Sequence, residues 1–219
     1  MLDFSEACQQ LQSAGEFLLA SQLTWGNAGN LSMRLDSDRY VVTASGTQLG
    51  ELGMDDFVEC SLTGASPSGQ RKPSKETPMH RAIYEQRPEV SAVLHASPFY
   101  STLISCSTEG LPANWFVEDM YYLERVARVA YFHPGSQALG DAVYEKAKQA
   151  NILLLENHGV LVYDTSLRKA LMGLQTLEMV CHMLVTARSA GIQMRELSQD
   201  VVTGFLQDSG YRPRREWPA

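Results

Sequence analysis

The sequence predicts an α/β fold: a three-layer α/β/α arrangement around a mixed, largely antiparallel central sheet. Three observations carry that expectation. Apolar spacing alternates along the chain between 3–4 and two. The early period-two segments follow one another through short turns, as hairpins do, whereas the later ones alternate with helical segments. The chain has 219 residues, 44% hydrophobic and 20% charged, which is globular usage with enough length to bury a core in one domain over residues 1–219.

Asp3, with Glu6 three residues on, reads as a helix N-cap. Phe4, Ala7, Leu11, Ala14 and Leu18 then mark an amphipathic helix. After Gly26-Asn27-Ala28-Gly29 the period becomes two, and Leu31, Met33 and Leu35 form a strand. Asp36-Ser37-Asp38 turns the chain into a returning strand over Tyr40–Thr43, and Phe57–Ser61 is a third. Residues 63–73 are a polar loop. Thr77 caps a helix with Pro78 at its first position, ending near Gln86. Val90–Leu94 is a buried strand, and Pro98–Ser105 and Glu118–Ala127 are helical. Val129–Phe132 is a short strand, and Pro134 starts a helix carrying Leu139, Val143 and Ala147. Ile152–Leu155 and Val160–Tyr163 are strands around Glu156-Asn157-His158-Gly159. Asp164-Thr165-Ser166 caps the longest helix, which stops near Gly191, and the last ten residues are polar and Arg-rich.

The net charge of −7 argues against nucleic acid or anionic membrane as partners. No run approaches the ~18 apolar residues of a membrane span. No signal peptide is expected at the N-terminus, and the expected location is cytoplasmic. Cys8, Cys60, Cys106 and Cys181 show no C-x-x-C spacing and read as buried reduced thiols.

Five histidines, His80, His95, His133, His158 and His182, are candidates for chemistry. His95 ends a strand and His158 sits in a tight turn, positions at which side chains converge on a site. Glu156 and Asn157 flank His158 as possible partners of its imidazole. His80 and His182 lie within helices and read as helix-face residues. Glu76, just before a helix, is either a solvated carboxylate favoured by the helix dipole or a general base. Three polar turns, at residues 26–30, 43–47 and 73–76, offer hydroxyls and backbone N–H groups suited to an anion. G-x-G-x-x-G and G-x-x-x-x-G-K-[ST] are absent.

The motifs GNAGNLSMRL, VVTASG, KPSKETPMHRAIYEQRPEVSAVLHASP and LLLENHGVLVY occur in that order. Together they resemble the class II aldolase/adducin family, over about residues 7–190. The resemblance implies a divalent metal, zinc first with manganese or cobalt as alternatives, held by histidines of an H-x-H and an N-H-G motif. His95 and His158 match, whereas the second histidine of H-x-H is replaced by Ser97. Ser97 with a water, Glu76 or His133 would complete the shell, giving weaker and less zinc-selective binding. The family's acid/base glutamate falls on Glu76. Its phosphate-binding turns fall on Asn30, on Ser45 and Gly46, and on Ser74 and Lys75, where the lysine departs from the usual serine. The family tyrosine that protonates the leaving group, which comes from a neighbouring subunit, aligns with Phe116, and Tyr121, Tyr122 and the C-terminal Tyr211 are the alternatives.

The leading implied activity is an aldolase-type lyase acting on a phosphorylated ketose or related sugar acid, in a homotetramer with sites between subunits. A second reading, which Lys75 favours, is a decarboxylase of a keto-acid phosphate. A third, which Ser97 favours, is a non-catalytic, adducin-like binding protein with a degraded metal site.

Overall fold

Period-two alternation divides the strands' side chains between two helical layers. The computed structural model describes residues 2–64, 71–208 and 217. Seven strands form one sheet: β1 (Asn30–Arg34), β2 (Arg39–Thr43), β3 (Phe57–Ser61), β4 (Ala92–Ala96), β5 (Val126–Val129), β6 (Ile152–Leu155) and β7 (Gly159–Asp164). Their order is β3-β2-β1-β4-β7-β6-β5. Every pairing is antiparallel except β5 with β6, which is parallel. This is the expected three-layer α/β/α fold.

Leu31, Met33, Leu94, Ile152, Leu154, Val160 and Val162 face one layer. They pack with Leu11 and Leu18 of α1 (Phe4–Ala20) and Leu174 and Leu177 of α6 (Leu167–Ala190). Val42, Val93, Leu153, Leu155, Leu161 and Tyr163 face the other layer. Their partners are Met79 and Ile83 of α2 (Thr77–Gln86) and Leu139 and Val143 of α5 (Gln137–Ala147). Helix α6 is long and apolar enough to cross a membrane by composition. Its apolar stripe nevertheless lies on the sheet, as in a core helix.

The caps follow local chemistry. Asp3 accepts from the amides of Ser5 and Glu6, as expected. Ser166, at the end of the expected Asp164–Ser166 cap, accepts from Lys169 N, while Asp164 closes β7. Glu76, not Thr77, occupies the N-cap of α2, and its side chain makes no capping bond.

Several boundaries differ from expectation. The helix expected over Glu118–Ala127 is α4 (Val117–Tyr122), because Val126–Val129 is recruited into parallel pairing with Ile152–Leu155. The strand expected at Val129–Phe132 is accordingly earlier in sequence. Helix α5 begins after Pro134-Gly135, where Ser136 caps it by accepting from Leu139 N. The strand expected at Val90–Leu94 is shifted to Ala92–Ala96, so His95 lies inside it. Between β4 and α4, α3 (Phe99–Ser105) begins one residue after Pro98. Helix α7 (Gln199–Asp208) was not anticipated. Cys8, Cys60 and Cys181 are buried, but Cys106 is exposed at the end of α3, so the fourth thiol departs from expectation. Parts of the polar loop, residues 65–70, and most of the Arg-rich C-terminus, including Tyr211, lie outside the described residues.

Close packing of α1 on the turn after β2 is set by a glycine. A β-carbon at Gly15 would lie 2.0 Å from the carbonyl oxygen of Leu49. Gly15→Ala should therefore lower stability by roughly 1–3 kcal/mol, the overpacking cost exceeding the gain in helix propensity. Urea unfolding measures this, and a raised midpoint would show that propensity outweighs the contact.

Candidate active site

Asn30 of β1 and His95 of β4 are directly opposed across the antiparallel ladder. Both side chains face the α2 side of the sheet, and the first turn of α2 sets Glu76 above them. Ser74 shapes that approach: its hydroxyl accepts from Glu76 N at 3.3 Å and its carbonyl accepts from Thr77 Oγ1 at 2.6 Å. With no capping bond to make, the Glu76 carboxylate turns into the site.

His158 arrives from the β6–β7 turn. Asn157 adopts φ 56° and Gly159 φ 145°, and a β-carbon at Gly159 would lie 2.7 Å from Ala96 O and 2.9 Å from Ser97 Oγ. Only glycine lets the turn close onto β4 in this way. The His95 and His158 rings then meet edge to face, with centroids 4.7 Å apart. Glu156 and Asn157 hold the turn through their backbone amides, which donate to Val129 O and Ser105 O. Neither side chain bonds an imidazole among the described residues.

Glu76 bridges the two histidines. Its Oε2 lies 3.2 Å from His95 Nε2 and its Oε1 lies 2.9 Å from His158 Nε2. Asn30 Nδ2 donates to Oε2 at 2.8 Å. Oε1 is buried and forms no hydrogen bond of acceptable geometry. Burial opposes charge on Glu76, but the two imidazoles and the Asn30 amide outweigh it and hold the carboxyl down at about 2. Burial pushes His95 the other way for a base, toward the neutral ring, against the pull of Glu76.

This donor set suits a cation. His95 Nδ1 lies 3.0 Å from the Val160 carbonyl, so it carries the proton and donates. In the neutral ring Nε2 is then a bare lone pair facing a carboxylate oxygen. Two acceptors so placed repel unless positive charge lies with them. The ligating atoms of Glu76, His95 and His158 lie within 4.8 Å of one another, close enough to hold a metal ion. Of the expected substitutes for the missing histidine, Glu76 joins this group. Ser97 lines the same cleft, whereas His133 is exposed and lies outside the group.

A cleft of about 500 Å³ opens on this centre. Asn30, Ser45, Gly46, Ser74, Lys75, Glu76, His95 and His158 all line it, so three turns distant in sequence share one cavity with the histidines. The Asn30 amide is engaged at both ends, by Glu76 and by His80. Lys75 is exposed at the lip, and Trp25, 64% exposed at the mouth, donates from Nε1 to Ser97 O. Phe116 caps α4 and packs on the α1/α6 core, while Tyr121 and Tyr122 are buried. None of the three lines the cleft, and no tyrosine does among the described residues.

Residues 9–185 match the family description "Class II Aldolase and Adducin N-terminal domain". The chain belongs to the class II aldolase/adducin family. It is 34% identical over 175 residues to a 3-oxo-tetronate 4-phosphate decarboxylase of Haemophilus influenzae, covering 78% of this chain and 82% of that one. The crystal structure of YgbL from Klebsiella pneumoniae, a candidate aldolase/epimerase/decarboxylase, superposes with a TM-score of 0.85. That match has 30% identity and covers 94% of this chain and 100% of the other. An L-fuculose 1-phosphate aldolase gives a TM-score of 0.83 at 27% identity, over 94% of this chain and 96% of the other.

His80 is the residue that sequence reading missed. It is fully buried, and burial together with His95 pushes it down to about 3, Glu76 only partly opposing. Its signal was a polar stripe, Glu76, His80 and Tyr84, at spacing four on a helix whose neighbouring Met79 and Ile83 are core residues.

These two groups set an acid limit. Between about 6.5 and 3 the unfolded chain binds a proton at His80 that the folded chain refuses. Between about 4.5 and 2 the same holds for Glu76. In both windows stability falls as pH falls, with a slope approaching roughly 1.4 kcal/mol per unit for each group. In chelator, urea midpoints should drop steadily from pH 7 to pH 4, and His80→Gln should flatten the upper part of that decline. Midpoints level across the range would contradict these assignments.

Proposed function

We propose that the protein is a metal-dependent carbon–carbon lyase that decarboxylates a phosphorylated 3-oxo acid. The observation that carries the reading is the juxtaposition, in one cleft, of an ionised carboxylate between two imidazoles and three anion-suited turns with Lys75 at their edge. The similarity to a 3-oxo-tetronate 4-phosphate decarboxylase supports it.

His95 and His158 would hold the metal through Nε2, with Glu76 as the carboxylate within reach. When bound, the metal supplies a Lewis acid that draws electrons toward the substrate's carbonyl oxygen. Ser45, Gly46 and Ser74 bind the phosphate, and Lys75 adds a cation for the second anionic group. Loss of carbon dioxide leaves the bonding pair on the carbon beside the carbonyl. Glu76 relays a water proton to that carbon from Oε1, the oxygen that Asn30 does not hold. One carbon–carbon bond breaks, one carbon–hydrogen bond forms, and the proton consumed comes from solvent.

Aldol cleavage of a phosphorylated ketose is the second reading, favoured by the likeness to L-fuculose 1-phosphate aldolase. It shares the carbanion but also needs a group to manage the proton of the leaving carbinol. Decarboxylation has no such demand, and the similarity to a 3-oxo-tetronate 4-phosphate decarboxylase supports placing it first. A cytoplasmic homotetramer of the 24.3 kDa chain completes the proposal, and light scattering measures its assembly.

The test supplies 3-oxo-tetronate 4-phosphate or a ketose 1-phosphate to protein stripped with chelator and reloaded with Zn²⁺, Mn²⁺ or Co²⁺. We expect carbon dioxide release only with metal. Aldehyde release without carbon dioxide would select aldol cleavage, and full turnover in excess chelator would eliminate a metal role. Glu76→Gln should keep the fold and lower kcat by about 100-fold or more. Lys75→Ala should act mainly on KM. His158→Ala should abolish metal binding, and Ser97→His should tighten it, both readable by metal analysis.

A further inference from the structure

Asn30 and Ser32 alternate onto one face of β1, and Glu76, His80 and Tyr84 recur at spacing four along α2. The two series meet as a polar seam inside an otherwise apolar layer. Asn30, Ser32, His80 and Tyr84 are each at most 5% exposed. Their contacts are continuous: Tyr84 OH to Ser32 Oγ at 2.8 Å, Ser32 Oγ to His80 Nδ1 at 2.6 Å, and His80 Nε2 to Asn30 Oδ1 at 2.5 Å. Asn30 Nδ2 to Glu76 Oε2 at 2.8 Å closes the chain.

The direction of every bond follows from the last one. Asn30 presents its NH₂ to Glu76 Oε2 and its carbonyl to His80 Nε2. His80 therefore carries its proton on Nε2 and donates it to Asn30. Its bare Nδ1 accepts from Ser32, and the Ser32 oxygen accepts from Tyr84. All four donors point toward Glu76, and with the opposite polarity at any link two acceptors or two donors would face each other in the core. Continuous buried networks of this kind fix orientation.

We propose that Asn30, His80, Ser32 and Tyr84 are positioning residues that pin Oε2 of Glu76 and leave Oε1 as its working oxygen. The role in turnover rests on the reading of Glu76 as proton carrier, whereas the bond polarity does not. The relay also explains why a histidine lies in the interior of a core helix and never faces the cleft.

Two measurements test it on the full chain. Imidazole ¹⁵N–¹H NMR of the wild type in chelator should show His80 neutral, with a slowly exchanging proton on Nε2. A proton on Nδ1 would overturn the relay whatever the enzyme's substrate. In kinetics with 3-oxo-tetronate 4-phosphate, His80→Leu should lower kcat by roughly 10- to 100-fold with KM changed less than about twofold. His80→Gln, which keeps a donor for Asn30, should recover much of that loss. Should His80→Leu fail to fold, Ser32→Ala replaces it, with a smaller fall in kcat and faster exchange of the His80 proton. A folded His80→Leu with wild-type kcat, a glutamine variant no better than leucine, or no effect of Ser32→Ala on either readout would overturn the proposal. If the wild type turns over neither this substrate nor a ketose 1-phosphate, the functional reading fails while the tautomer still decides the relay.

Discussion

Glu76 is ionised in a place where burial alone would neutralise it. That charge orders its surroundings. Asn30 faces it with an amide, two imidazoles stand within 3.2 Å of it, and the bonds running back through His80 to Tyr84 end on it. Four elements, β1, β4, α2 and the β6–β7 turn, are tied to one carboxylate. A buried charge is tolerated only when compensated, and the compensation here extends from the cleft into the core.

The three layers exist to make that convergence possible. Antiparallel pairing of β1 with β4 puts Asn30 opposite His95, and pairing of β4 with β7 ends at the turn that presents His158. A shift of register by one residue in β1 would send Asn30 and Ser32 to the α1/α6 side and strip the carboxylate of its partner. Stability and chemistry are therefore coupled, since the strands that bury Leu31, Met33 and Leu94 also hold the site's donors in phase.

Much of this was legible in the sequence. Alternation in Leu31–Leu35 and the short apolar run Ile152–Leu155 marked strands, and motif order pointed to Glu76, His95, His158 and the three turns that share the cleft. What was not legible depended on pairing between distant segments. Val126–Val129 carries no pattern that separates strand from helix until Ile152–Leu155 lies beside it. The Glu76 side chain looked like helix-end chemistry because nothing local says that it turns away from the cap. His80 looked like an ordinary helix residue because its meaning lies in Asn30 and Ser32, some fifty residues earlier. Ser97 remained ambiguous as a string position, and only the grouping of the three ligating atoms indicates which side chain stands near the two histidines.

The two ends of the cleft are built differently. The end that holds Glu76, His95 and His158 is a product of sheet register and core packing. The anion end hangs on turns, and one of them is braced from outside: a β-carbon at Gly135, in the turn before α5, would lie 2.8 Å from the Lys75 carbonyl. The backbone at Lys75 therefore packs on a surface loop, one residue beyond Ser74, whose amide donates to Thr43 O at the end of β2. Loops accept insertions and sequence drift more readily than registered strands do. Under the proposed function, a change in the Gly135 turn alters the end of the cleft at Lys75 while the sheet register around Glu76 stays in place.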